Sequence, residues 1–223
     1  MELKDMITTI IFDMNGVITD DEHCHEMATK LVFESFGVDI TPEIYRTYCL
    51  GRTDKAAFAD LLADFGLQYV TCSNLIADKT KIYLDLVSDE LKIYPGVVNC
   101  IQKLAQNYIL ALTTSSTKLE VQATMKITGL SDLFKVVVTS EDVSRGKPDP
   151  DPYLVTLKKL GLPASQCLVI EDSENGVKSA KAAGIKCIAI SNTEIPDKLL
   201  LADGVIESYE EFDINLIQSL CER

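Results

Sequence analysis

Residues 7–20 read ITTIIFDMNGVITD, and the way this stretch divides sets the fold. Ile7, Ile10, Ile11 and Phe12 form a short apolar run that stops at Asp13, and Asn15-Gly16 follows at once. A buried strand that ends in a turn carrying a carboxylate has this pattern. In open α/β sheets ligands bind outside the carboxyl ends of the strands, where Asp13 stands if Ile7 to Phe12 is central in a parallel sheet. Taken alone, Asp-x-Asn-Gly is also a common turn sequence, so the rest of the chain has to decide.

With 223 residues the chain has enough length for one domain with a sizeable insertion, or for two small ones. Hydrophobic residues at 47% and charged residues at 25% give a soluble, globular composition. No window reaches the roughly 18–20 apolar residues of a membrane span or has the order of a secretory signal, so the expected compartment is the cytoplasm. Lys and Arg number 21 against 34 Asp and Glu, a formal charge of -13. That balance disfavours nucleic acid and anionic membrane as partners and leaves a small anionic ligand, with the chain a monomer or weak dimer. The seven cysteines are spread out, odd in number and without a CxxC pair, so neither zinc nor a disulfide framework is expected. Cys167 and Cys187, set in apolar runs, read as small buried hydrophobes.

After Asp20 helical periodicity takes over. Met27, Leu31, Val32, Ser35 and Phe36 mark a helix over 26–36; Thr41-Pro42 opens another. Ala57, Phe58, Leu61, Leu62 and Phe65 stripe a third over 54–65, and Ile82, Tyr83, Leu86 and Val87 stripe a fourth over 73–91. No strand pattern interrupts them, so residues 17–92 are expected to form a helical cap inserted after the first strand. From Tyr94-Pro95-Gly96 onward, strands near 109–112, 136–138, 167–170, 187–190 and 204–206 alternate with helices near 97–105, 118–127, 152–160, 174–183, 197–201 and 210–221. This order predicts an α/β doubly wound, Rossmann-like core of residues 1–16 and 93–223, its parallel sheet covered on both faces. Gly129, Gly161 and Gly184 stand where left-handed helix caps require glycine.

Four strand ends then carry polar groups: Asp13 with Asn15, Thr113 to Ser116, Lys147 in the loop after Val138, and Glu171 with Asp172. In a parallel sheet all four face one edge. Asp13 and Asp172 offer oxygens to a hard divalent ion such as Mg2+. The hydroxyls and N–H groups of Thr114, Ser115, Ser116 and Thr117, at a helix start, suit a phosphate, and Lys147 offsets the negative charge. Each piece alone has an ordinary reading. Ser116 or Thr117 suits a helix N-cap, Gly146-Lys147-Pro148 a turn, and Glu171-Asp172-Ser173 a cap favoured by the helix dipole.

Taken together, FDMNGVITD, LTTSST, RGKPDPDPYL and VIEDSENGVKSAKAAG resemble the four motifs of the haloacid dehalogenase-like superfamily, over nearly the whole chain. The resemblance is to its branch of β-phosphoglucomutase-like phosphatases with a helical cap. It implies a Mg2+-dependent phosphatase acting on a small phosphorylated metabolite, a sugar or polyol phosphate. Asp13 would be the nucleophile that forms an aspartyl phosphate, Thr114 and Lys147 would grip the phosphoryl group, and Glu171 and Asp172 would serve the metal together with Asp13 and the backbone carbonyl of Asn15. An ionised Asp needs no activating base and splits phosphoryl transfer into two easier steps. Position 15 departs from the pattern: family members carry a second Asp there, which shuttles the proton of the leaving group and of water. An amide cannot do so, a loss of roughly 10²–10⁴ in rate, or about 3–5 kcal/mol. Asn15 makes the chain a weakened or naturally slow phosphatase, or a phosphometabolite-binding protein that has lost turnover.

In the cap, DDEHCHE resembles the family's hinge, with His25 able to face the site; His23 and His25, two apart on a helix, point away from each other. LGRTDKAAF resembles the cap loop, but Asp54 stands where sugar-phosphate mutases have arginine, and Tyr83 falls near their second phosphate anchor, a lysine. Those differences place a phosphosugar mutase second to a hydrolase. Ser115, Ser116, His25 and Arg52 are the expected substrate-binding residues. Arg52, Lys79 and Lys81 are candidates for a distal anion, with a solvated helix face the ordinary reading of the two lysines, and Tyr83 either discriminates substrates or packs the helical stripe. The crossings near 17–21 and 91–95 read as the hinge of a lid.

Overall fold

The protein is described by a computed structural model covering residues 6–212 and 214–221. Its first part runs β1 (Thr9–Phe12), β2 (Thr19–Asp20), α1 (Glu22–Glu34), α2 (Pro42–Tyr48), α3 (Asp54–Asp64), α4 (Cys72–Glu90) and β3 (Lys92–Ile93). Then come α5 (Val97–Leu104), β4 (Ile109–Thr113), α6 (Lys118–Thr128), β5 (Val136–Val138) and α7 (Asp151–Leu160). The chain closes with β6 (Cys167–Glu171), α8 (Glu174–Ala182), β7 (Lys186–Ile190), β8 (Gly204–Ile206) and α9 (Ile214–Cys221).

Six strands form one parallel sheet in the order β5-β4-β1-β6-β7-β8, the doubly wound α/β architecture that the alternating pattern predicts. Side-chain alternation sorts its residues to two faces. Ile10, Phe12, Leu112, Ile170 and Ile188 pack with Ile101, Val121 and Ile217 on one face. Ile11, Ala111, Cys167, Val169 and Cys187 pack with Tyr153, Val177 and Ala180 on the other, so the two cysteines are buried apolar filler as expected. Full burial of a side chain such as Phe12 contributes roughly 1.5–3 kcal/mol. β1 is flanked by β4 and β6, which places Asp13 in the middle of the sheet's carboxyl edge.

The helices between β2 and β3 build their own apolar clusters, one around Phe33, Phe58 and Leu61 and a second around Cys24, Ala28, Tyr83 and Val87. Three details differ from the sequence reading. First, α1 begins at Glu22 and buries Cys24, His25, Ala28, Thr29, Val32 and Phe33, while Met27 and Leu31 are exposed. The small side chains let α1 lie close along α4, and tertiary packing overrides the more hydrophobic stripe. Second, β2 and β3 pair antiparallel, Thr19 opposite Ile93, so the two crossings form a short ribbon that two-residue strands are too brief to announce. Third, the expected helix at 197–201 is a single 3-10 turn, Pro196–Lys198, and the last helix starts at Ile214, with residue 213 outside the described residues.

Candidate active site

Because β1, β4, β5 and β6 are parallel, the polar groups that follow them gather at one edge. Lys147, 4% exposed, donates from Nζ to Asp13 Oδ1 at 2.8 Å, to Glu171 Oε1 at 2.5 Å and to the Thr113 carbonyl at 3.3 Å. Tyr153 adds a 2.7 Å hydrogen bond to the same Glu171 oxygen, and the Asp172 N–H and Ser173 hydroxyl donate to the other. Glu171 is thus spent on holding Lys147 and the strand end. Two glycines make the space. A Cβ on Gly16, whose φ is +76°, would lie 1.8 Å from Asp172 Oδ2, and one on Gly176 would lie 1.9 Å from Glu171 Cδ. Gly16 is therefore required by contact as well as by its positive φ, and Gly176, inside α8, by contact alone.

Asp13, Glu171 and Asp172 each place a carboxylate oxygen within 4.8 Å of the others. Burial, with Glu171 adding to it, pushes Asp13 up to about 7 despite the opposing effect of Lys147. Burial and then the charges of Glu171 and Asp13 hold Asp172 well above the usual carboxylate range. One lysine thus faces three crowded carboxyl groups, and a divalent cation would relieve the excess. The donor set fits one: all oxygen, with Asp172 and Asp13 as its available carboxylates.

After β4, Thr117 caps α6 in a reciprocal box with Glu120, so its hydroxyl serves the helix. Thr114 Oγ1 accepts from the Ser116 N–H at 3.1 Å and lies 3.4 Å from Asn15 Oδ1. Ser116 Oγ donates to Asn15 Oδ1 at 2.6 Å. On its other side Asn15 Nδ2 meets both Asp21 oxygens, at 3.1 and 2.9 Å, and lies 3.0 Å from His25 Nε2. A donor is what this position needs: the amide faces a carboxylate whose remaining bonds come from Thr19 and Tyr83.

Asp13, Asn15, Ser115, Ser116, Lys147 and Asp172 line the core side of a cavity of about 60 Å³, and the cap closes it with His25, Arg52 and Lys79. Thr114 and Tyr83 are not on its wall. Tyr83 is fully buried, stacked on His25 with ring centroids 4.2 Å apart, and so packs the helical stripe. Arg52 lines the cavity but is tied to Asp60 at 2.6 Å and to the Tyr48 carbonyl at 2.9 Å. Lys79 corrects the solvated reading: it is 1% exposed, with Nζ 3.0 Å from Asp54 Oδ2, 2.9 Å from Glu120 Oε1 and 2.7 Å from His25 Nδ1. Lys81 does face solvent. The signal for Lys79 lay in its register, four residues from Leu75 and four from Tyr83 on the buried side of α4. Tyr45 and Thr193 also line the cavity and had no motif to mark them, and so does Glu22, which lies within DDEHCHE, where His25 was the residue singled out.

This arrangement has relatives. A family model described as haloacid dehalogenase-like hydrolase matches residues 10–190. The chain belongs to that family. The match runs from β1 to the end of β7 and so contains every cavity residue named above except Thr193. Among haloacid dehalogenase-like hydrolases, it is 30% identical over 210 residues to validoxylamine A 7'-phosphate phosphatase of Streptomyces hygroscopicus subsp. limoneus, covering 92% of this chain and 96% of the relative. It is 31% identical over 202 residues to a phosphorylated carbohydrates phosphatase of Thermotoga maritima, covering 88% and 91%. The crystal structure of CbbY from Rhodobacter sphaeroides in complex with phosphate superposes with a TM-score of 0.83 at 27% identity, covering 92% and 96%. Among the described residues no helix is long and apolar enough to cross a membrane.

Proposed function

We propose that this chain is a Mg2+-dependent phosphatase that hydrolyses a small sugar or polyol phosphate through an aspartyl phosphate on Asp13. The observation that carries the reading is the Lys147–Asp13 contact at the floor of a cavity that Ser115, Ser116 and the cap enclose. Lys147 fixes one Asp13 oxygen and neutralises part of the charge there, leaving the carboxylate oriented for attack on phosphorus. The Ser115 hydroxyl and N–H and the Ser116 hydroxyl hold equatorial phosphoryl oxygens, and Thr114 fixes this turn from behind by accepting the Ser116 N–H. Mg2+, held by Asp13, Asp172 and the Asn15 carbonyl, would supply charge stabilisation for the transferring phosphoryl group. Glu171 orients Lys147. The validoxylamine A 7'-phosphate and the phosphorylated carbohydrates named for two relatives support the substrate class.

Asn15 sets the rate, since its amide cannot carry the proton that leaving oxygen and water must exchange. Phosphate release over a panel of sugar and polyol phosphates, measured on this chain and on Asn15→Asp, tests the reading. Release that requires Asp13 and Mg2+ in either form supports it; silence in both forms rejects it.

A further inference from the structure

Of the carboxyl groups on the cavity wall, Asp13 is held by Lys147, Asp54 by Lys79, and Asp172 belongs to the cluster suited to the cation, whereas Glu22 has no lysine or arginine partner among the described residues. It begins α1, the first of the cap helices, and lines the same space as Asp13, Asn15 and Asp172. Tyr45 OH, from α2, donates to Oε1 at 2.5 Å, which clamps the carboxyl plane. Oε2 has no protein partner among the described residues and is not sealed from solvent. The other acidic residue on the cap side of the wall, Asp54, is occupied by Lys79 at 3.0 Å. Glu22 is also near enough to the core that its charge is among those that hold Asp172 up.

We propose that Glu22 is the general acid and base of this hydrolase, doing from the cap the work that Asn15 cannot do from the core; the proposal rests on the phosphatase reading above. In the first step Asp13 attacks phosphorus, the P–O bond to the sugar breaks, and the leaving oxygen takes the proton of Glu22. In the second, water attacks the aspartyl phosphate, gives its proton to the Glu22 carboxylate, and the P–O bond to Asp13 breaks, releasing phosphate and restoring both acids. The surroundings favour this cycle. Burial raises the Glu22 carboxyl above its ordinary value, against the lowering effects of His25, Tyr45 and Lys79, while Asp21 raises it further. A carboxyl poised in that way is protonated more often at neutral pH than an exposed one, and it remains able to ionise.

The test is Glu22→Gln, which keeps shape and the Tyr45 bond, assayed as the full chain with Mg2+. Alkyl phosphates need a proton on the leaving oxygen, whereas p-nitrophenolate leaves without one. We expect Glu22→Gln to lose roughly 10²-fold or more on an alkyl phosphate, and to release one equivalent of p-nitrophenol in a burst, with the second step slow. A loss on alkyl phosphates that does not exceed the loss in the p-nitrophenol burst by about tenfold overturns the proposal. So does a native chain that is silent while Asn15→Asp turns over, an outcome that leaves the phosphatase reading intact; silence in both forms fails that reading as well. Tyr45→Phe supplies a second handle. It removes a donor that favours ionised Glu22, so the basic limb of kcat/KM should move to higher pH, and an unmoved limb counts against Glu22.

Discussion

Two lysines are buried against the same cavity, Lys147 from the sheet edge and Lys79 from the cap. Their surroundings are near copies. Each touches two carboxylates and one further acceptor, and each lies over a tyrosine ring, Tyr153 at 5.3 Å or Tyr83 at 5.4 Å. In both, burial opposes the charge and the two carboxylates outweigh it, raising the lysine above its ordinary value. They differ in what the carboxylates do. Asp13 beside Lys147 is the proposed nucleophile and lines the cavity. Asp54 and Glu120 beside Lys79 join α3 of the cap to α6 of the core. On the proposed reading the same cluster of charges serves chemistry on one wall and assembly on the other, and burial plus pKa direction does not tell them apart; only the partners do.

Replacing each lysine with methionine separates the two roles. Lys147→Met should lower phosphoryl transfer by about 10³-fold, roughly 4 kcal/mol, on every phosphomonoester including p-nitrophenyl phosphate. Lys79→Met should cost stability, about 3 kcal/mol in urea unfolding, because it strands Glu120 as a buried unpaired charge. Its burst on p-nitrophenyl phosphate should stay within about tenfold. If both substitutions give the same profile, the contrast fails.

Acid sharpens the assembly side. Burial pushes Glu120 up, but Lys79, His25 and the Thr117 N–H outweigh it and hold its carboxyl down at about 2, against an ordinary 4.5. A depressed folded value means that the stabilisation is whole above about pH 4.5 and is lost as the pH falls toward 2. Unfolding midpoints measured across that window should fall less steeply in a Lys79→Met, Glu120→Gln double variant than in the native chain. The smallest effect belongs to Arg52, whose guanidinium already has Asp60. Arg52→Ala should reorder the preferred sugar and polyol phosphates while p-nitrophenyl phosphate hydrolysis changes by less than about tenfold, or 1.4 kcal/mol. A uniform loss on all substrates would move Arg52 to the chemical wall.

Lys147 was legible in the sequence and Lys79 was not, for a physical reason. Asp13, Lys147, Glu171 and Asp172 each follow an apolar strand, and a parallel sheet brings strand ends together whatever the intervening helices do. Lys79 sits in an amphipathic helix, where burial depends on which face meets a neighbour. The carboxylates that neutralise it, Asp54 and Glu120, come from other helices. The apolar stripe of α1 was misread for the same reason: Met27 and Leu31 carry more hydrophobic surface than Ala28 and Cys24, yet close approach to α4 favours the small residues. Glu22 stayed hidden because α1 starts four residues earlier than its hydrophobic pattern. The strand ends were readable as local punctuation, whereas the cap wall is a product of helix packing.

The β2–β3 ribbon brings the two ends of the inserted helices side by side, Thr19 opposite Ile93 and Asp20 opposite Lys92. As a graft site it is mechanically permissive, since a foreign insert needs only two neighbouring termini to leave the sheet undisturbed. Electrically it is keyed. Any transplanted segment inherits Glu120, fully buried on α6, and has to arrive with a cation at the place of Lys79. Exchange of inserts is therefore filtered by charge before it is filtered by shape.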